Sequence, residues 1–274
     1  MDYTVGDIFR KIRENERAAS VSVSSPLSAL GAHRDLMGMV LIKHKPSSSV
    51  KDRTKSLFSS KSQLRYFGAS LKDILSSQAA NDISCQAPLL QIFLQNQIRA
   101  HGGCQAEGIF RISVEASEIA HVKEQIEKDD FRSEIKNPHA SAVVLKKWLR
   151  ELNPPLIPSD MYKDALKIGR LSELDPYSVV SFVMRLPEGN RIVLEELIIL
   201  LRQISSAENV KLTKMTADNL SIVFSPNLLK NPSKDPAAQL QSAAFETQFV
   251  KYLIQGVSAE TRDPITFDFS SISS

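Results

Sequence analysis

Arg111 stands in the stretch GGCQAEGIFRIS, bracketed by Ile109, Phe110 and Ile112. Apolar neighbours of this kind anchor a loop in a core, while the long guanidinium must point outward or find a partner. Glu107 and Glu115 are the near carboxylates with which a structural arginine here would pair. A second group lies in VVLKKWLREL, where Lys146 and Arg150 are one helical step of four apart. At about 100° per residue they fall within about 40° of each other, opposite the face of Leu145, Trp148, Leu149 and Leu152. Such a stripe is also what the solvated side of an amphipathic helix looks like. The third group is MTADNLSIVFSPNLL, in which Asn219 interrupts an apolar helix and Pro226 follows Ser225. A polar-face or capping asparagine is the plain reading of Asn219. The chemistry open to these residue types is ionic and hydrogen-bonding recognition of anionic or carbonyl oxygens.

Other chemistries lack their motifs. There is no GxxxxGK[ST], GxGxxG or GxSxG, so neither a phosphate cradle nor a nucleophile elbow is encoded, and the chain has only 10 glycines with which to build one. The 5 histidines form no HExxH or other metal-ligand spacing, and Cys85 and Cys104 make no CxxC. No bound metal or cofactor is therefore expected. Two isolated thiols fit a reducing compartment rather than a disulfide framework.

The elements that must position these residues read as helices. Leu89, Leu90, Phe93, Leu94 and Ile98 follow Pro88 at helical spacing and end at Gly102-Gly103. Ile119, Val122 and Ile126 mark a second helix; a third runs from about His139 to Leu152 and stops before Pro154-Pro155. Asp175-Pro176 reads as an N-cap and first-turn proline for a helix through Leu186. Further helices are expected over Arg191–Ile204, over Thr213–Phe224 closed by Pro226, and over Ala243–Ile254 with Gly256 past its end. Strand signals are scarce and no repeat is visible. A single all-α, multi-helix domain at about residues 66–258 follows.

Composition sets outer bounds. Hydrophobic residues are 42% and charged residues 24% of the 274, an ordinary globular balance. A formal net charge of +3 argues against a nucleic-acid binder. No apolar run is long enough to span a membrane, and MDYTVGDIFRKIRENER lacks a secretory signal, so a cytoplasmic location is expected. Residues 1–62 carry 12 serines and 11 Lys and Arg against 6 Asp and Glu, which reads as a basic, mostly irregular extension. The remaining residues divide into a helical domain at 63–258 and a tail at 259–274. Six of the extension's cations fall between Lys43 and Lys61, facing only Asp52. That segment reads as a solvated linker or as a peripheral contact with anionic membrane.

In this order and at these separations, the blocks FGASLKDIL (67–75), EGIFRIS (107–113), LKKWLREL (145–152) and NLSIVFSPNLL (219–229) resemble the RhoGAP domain family, the GTPase-activating domains that act on Rho-type small GTPases. The resemblance spans about 66–258. It implies that Arg111 is the arginine finger, Lys146 and Arg150 the basic pair supporting it, Asn219 a group reaching the partner, and Pro226 part of the contact surface. The implied partner is a Rho-family GTPase in its GTP-bound form, which carries GTP and Mg²⁺ itself; this would account for the missing phosphate loop. A catalytically silent module on the same fold that recruits GTP-loaded GTPases is the alternative. Three departures bear on loop geometry and partner choice: Val114 in place of the usual glycine, NPP in place of the usual PEP, and the extra cation Lys147.

Overall fold

Apolar residues at three- and four-residue spacing become helices wherever a cap and a buried face coincide. The computed structural model describes residues 65–256 together with Pro264, Ile265 and Phe269. Ten α-helices lie among these: α1 (Leu71–Ala80), α2 (Leu89–Ala100), α3 (Ala116–Glu127), α4 (Pro138–Glu151), α5 (Tyr162–Gly169), α6 (Pro176–Met184), α7 (Glu188–Ile204), α8 (Val210–Thr213), α9 (Ala217–Leu228) and α10 (Pro236–Gly256). No strand occurs among the described residues. The extension at 1–62 and its 43–61 segment lie outside them. No helix among the described residues is long and apolar enough to cross a membrane.

Side-chain caps fix several of the helix starts. Ser70 Oγ accepts from the Asp73 amide, Asn137 Oδ1 from His139 and Asp175 Oδ1 from Tyr177, with Pro138 and Pro176 in the first turns of α4 and α6. Asp235 Oδ1 likewise accepts from Ala237 ahead of α10. This Asp-Pro start lies seven residues before the Ala243 expected from periodicity. Its first turns are mostly exposed, so the apolar pattern there is silent while the cap is not.

Two further differences have local causes. The expected Thr213–Phe224 helix begins instead at Ala217, capped by Thr216, and passes through Pro226 to Leu228. Proline removes a backbone donor and crowds the carbonyl four residues back. Pro226 is exposed, and in the same turn the Asn227 side chain donates to the Val223 carbonyl at 2.6 Å. Helix α1 buries only Leu71, Ile74 and Gln78, and α5, although half buried, has only 8 residues, too short a run for its period to stand out in the sequence.

Trp148, Leu145 and Leu149 of α4 are buried, and α4 packs on α2 and α9. Phe182 of α6 meets Phe249 of α10 edge-on at 4.9 Å. At the other end, Tyr66, Phe93 and Phe131 form an edge-to-face cluster, and Phe269 joins it at 5.6 Å from Phe93 and 5.8 Å from Phe131. Ile265 packs against Ala87, Ile92 and Ile192, and its amide donates to both carboxylate oxygens of the fully buried Glu196 at 3.2 Å. The chain thus returns onto α2 and α7 after α10.

Phe269→Ala is expected to destabilise the fold by about 2 kcal/mol, roughly half the cost of truncating a fully buried phenylalanine. For a domain of this size that lowers Tm by about 4–8 °C in calorimetry. An unchanged Tm would show that the returning segment adds nothing to stability.

Candidate functional site

The segment carrying Arg111 leaves α2 through Gly102, whose φ of +72° ends the helix, and a short 3-10 turn at Gly103–Gln105. Two more residues are left-handed, Gly108 at φ +66° and Phe110 at φ +69°. The left-handed conformation calls for glycine at 108, and a Cβ there would also come within 2.8 Å of the exposed Ile112 side chain and make it shift. Phe110 has no such licence. Left-handed backbone at a bulky residue costs of order 1–3 kcal/mol and persists only when its surroundings hold it.

Three contacts hold it. The Phe110 ring is fully buried and lies edge-to-face on Phe224 of α9, with centroids 4.9 Å apart. Lys146 of α4 reaches in and donates from Nζ to the Phe110 carbonyl at 2.6 Å. The Gly108 amide donates to the Thr213 carbonyl of α8 at 2.8 Å. Burial pushes the Lys146 ammonium below the ordinary lysine range, since the charged form is partly desolvated while it caps that carbonyl. Lys146 is therefore half-buried and turned into the fold, unlike a solvated helix stripe.

Arg111 follows immediately and is exposed. Its side chain makes no ion pair or hydrogen bond among the described residues, so the pairing with Glu107 or Glu115 is not formed. Nη2 would lie 3.5 Å from a Cβ placed on Gly108, so the guanidinium folds back over that glycine. Arg150 is exposed one turn beyond Lys146, and the neighbouring Lys147 pairs with Glu151 at 4.0 Å.

Helix α9 presents the remaining candidates. Leu220, Phe224 and Leu228 face inward. Asn219 is half-buried at the opposite edge, and its Nδ2 donates to the Lys214 carbonyl at 2.9 Å, across a turn in which Lys214 is itself left-handed. Pro226 lies two turns on and is exposed. Between them Ile222, at positions three and four removed, is 62% exposed; Ile112 and Leu212 are 44% and 52% exposed. Ile112 and Leu212 adjoin Arg111 and Thr213 in sequence, and Ile222 lies one helical turn from Asn219. Sequence reasoning took Ile222 for part of an apolar helix; its spacing from Asn219 and Pro226 was the signal that it shares their face.

The structure thus ties the loop that carries Arg111 to Lys146 of α4 through the Phe110 carbonyl and to α8 through Thr213, while Asn219 of α9 bonds to the Lys214 carbonyl in the turn that follows α8. What the arrangement offers is a guanidinium without a partner among the described residues, on a rigid support beside polar and apolar contact groups.

Comparison with known proteins agrees with this geometry. GTPase activating protein homolog 2 of Dictyostelium discoideum is 31% identical over 192 residues, covering 70% of this chain and 21% of that protein. SH3 domain-binding protein 1 of Mus musculus is 32% identical over 217 residues, covering 76% and 31%. The chain spans less than a third of either relative's length. Among solved structures, human Rho GTPase activating protein 15 matches with a TM-score of 0.61 at 19% identity, over 77% of this chain and 97% of that one, and shares the fold. The BH domain from GRAF, the GTPase regulator associated with focal adhesion kinase, matches with a TM-score of 0.54 at 26% identity, over 61% and 89%. The RhoGAP domain model matches residues 88–233, more than half of the chain and all of the segments that carry Arg111, Lys146, Arg150, Asn219 and Pro226, so the chain belongs to the RhoGAP domain family.

Proposed function

We propose that this chain accelerates GTP hydrolysis by a Rho-family small GTPase in its GTP-bound form, with Arg111 inserted in trans. The carrying observation is an exposed arginine, without a partner among the described residues, that directly follows a backbone tethered at Gly108 and at Phe110. The relatives named as GTPase-activating proteins support the same reading.

Phosphoryl transfer spreads negative charge over the γ-phosphoryl and leaving oxygens, and a guanidinium arriving from outside stabilises it while excluding water. A fork of N–H donors can address two oxygens at once, which a lysine ammonium cannot. On binding, Arg111 swings off Gly108 toward the nucleotide, and the held Phe110 keeps the base of that swing fixed. Lys146 holds the loop by its carbonyl. Arg150 pairs with acidic or carbonyl groups on the partner's switch regions, and Asn219 hydrogen-bonds partner backbone near the water-orienting glutamine. Ile222 and Pro226 supply apolar contact. GTP and Mg²⁺ are the partner's, and this chain contributes no cofactor of its own.

Arg111→Ala is expected to lower stimulated single-turnover hydrolysis by about 10³- to 10⁵-fold, or about 4–7 kcal/mol, while the GTP-loaded partner is still bound. Measured across a panel of Rho- and Rac-type GTPases, undiminished stimulation would sink the finger assignment. Binding by the wild-type chain with no acceleration would make it a recruiting module instead. Ile222→Glu places a charge in the contact face without touching the core. It is expected to weaken GTPase binding by at least about tenfold with Tm unchanged; retained affinity would remove Ile222 from the interface.

A further inference from the structure

Thr213 is fully buried at the end of the single-turn helix α8, in contact with three parts of the fold. Its hydroxyl donates to the carbonyl of Ile204, the last residue of α7, at 3.3 Å and accepts from the Met215 amide at 3.1 Å. Its own amide donates to the Asn209 carbonyl at 2.8 Å. Its carbonyl receives the Gly108 amide of the finger loop. The next residue, Lys214, is left-handed, and the Lys214 carbonyl is the acceptor for Asn219 Nδ2.

A four-residue helix has too few internal hydrogen bonds to hold its own geometry. The position of α8 is therefore set by what its side chains grip, and the Thr213 hydroxyl grips both the end of α7 and the start of the turn leading to α9. Any rotation of Thr213 displaces the Gly108 tether on one side and the Lys214 carbonyl on the other. Arg111 and Asn219 depend on those two points.

We propose that the Thr213 hydroxyl is a positioning group that fixes the finger loop relative to the Asn219 face, so that Arg111 and Asn219 are presented together. Thr213 does not touch the partner; it acts through Gly108 and Lys214. This rests on the GTPase-activating reading above and adds to it a residue outside the basic pair.

The test compares Thr213→Val and Thr213→Ser in the full chain. Valine keeps the shape and deletes the hydroxyl, leaving the Ile204 carbonyl and Met215 amide unpaired; serine keeps the hydroxyl and deletes the methyl group. For Thr213→Val, stimulated kcat is expected to fall by about 10- to 100-fold, the scale of a misplacement near 1 Å, and Thr213→Ser to stay within about threefold of wild type. In an Arg111→Ala background, Thr213→Val should add no more than about threefold, because only the Asn219 side then remains to be positioned. Amide exchange at Gly108 should quicken at least about tenfold in Thr213→Val while the amides of α2 and α7 keep their protection. Unchanged kcat, an equal loss in both backgrounds, or unchanged exchange at Gly108 would each overturn the inference. A wild-type chain that stimulates no GTPase would sink the activating reading itself, an outcome distinct from a stimulating chain that does not need the Thr213 hydroxyl.

Discussion

The buried ring of Phe110 is the constraint on which the rest of the site depends. A phenylalanine at φ +69° is strained, and the backbone would relax if the ring were free to move. Edge-to-face packing on Phe224 inside the core prevents that, and the Lys146 ammonium closes on the carbonyl of the same residue. Because Arg111 is the next residue, the strain is located where it determines the direction in which a cation leaves the surface. The core thus supplies the rigidity and the loop supplies the reach.

That arrangement couples distant pieces of chain. Helix α4 contributes Lys146, α9 contributes Phe224 and Asn219, and α8 contributes the Thr213 carbonyl. Each is held by its own buried face: Trp148 and Leu145 on α4, Leu220 and Leu228 on α9. A guanidinium on a support of this kind loses little conformational freedom when it engages a partner, beyond that of its own side chain. The return of Ile265 and Phe269 onto α2 and α7 braces the same region at a distance, since α2 leads through the Gly103–Gln105 turn into the loop that carries Arg111.

Much of the fold was legible because helix formation is governed by local rules. Proline in the first turn after a capping Asp marked α6, and three- and four-residue spacing marked α2, α3, α4 and α7. The rules failed where burial is thin or where a breaker is tolerated. Helix α1 buries only a narrow stripe, α5 is only about two turns long, the first turns of α10 lie mostly in solvent, and Pro226 is itself exposed, where a missing amide is cheap. Among the candidate residues, Arg111, Lys146, Arg150, Asn219 and Pro226 could be named from type and spacing, while Thr213 could not, and Ile222 could be placed by its spacing from Asn219 and Pro226 but not by its type. An exposed isoleucine and a buried threonine look like any other member of an apolar helix or a polar turn.

By itself the sequence determined the helix periods, the caps and the identity of the groups able to do chemistry, because these follow from neighbours within about one or two turns. Only the tertiary structure decided what those groups touch. Lys146 turns inward to a carbonyl 36 residues away instead of lying on a solvated stripe, and Arg111 pairs with neither Glu107 nor Glu115 although both are close in sequence. Ile222 faces out while Phe224, two residues on, packs under the Phe110 ring. Spacing fixes which residues share a face. Which face meets the core depends on how all the helices bury their apolar surface at once.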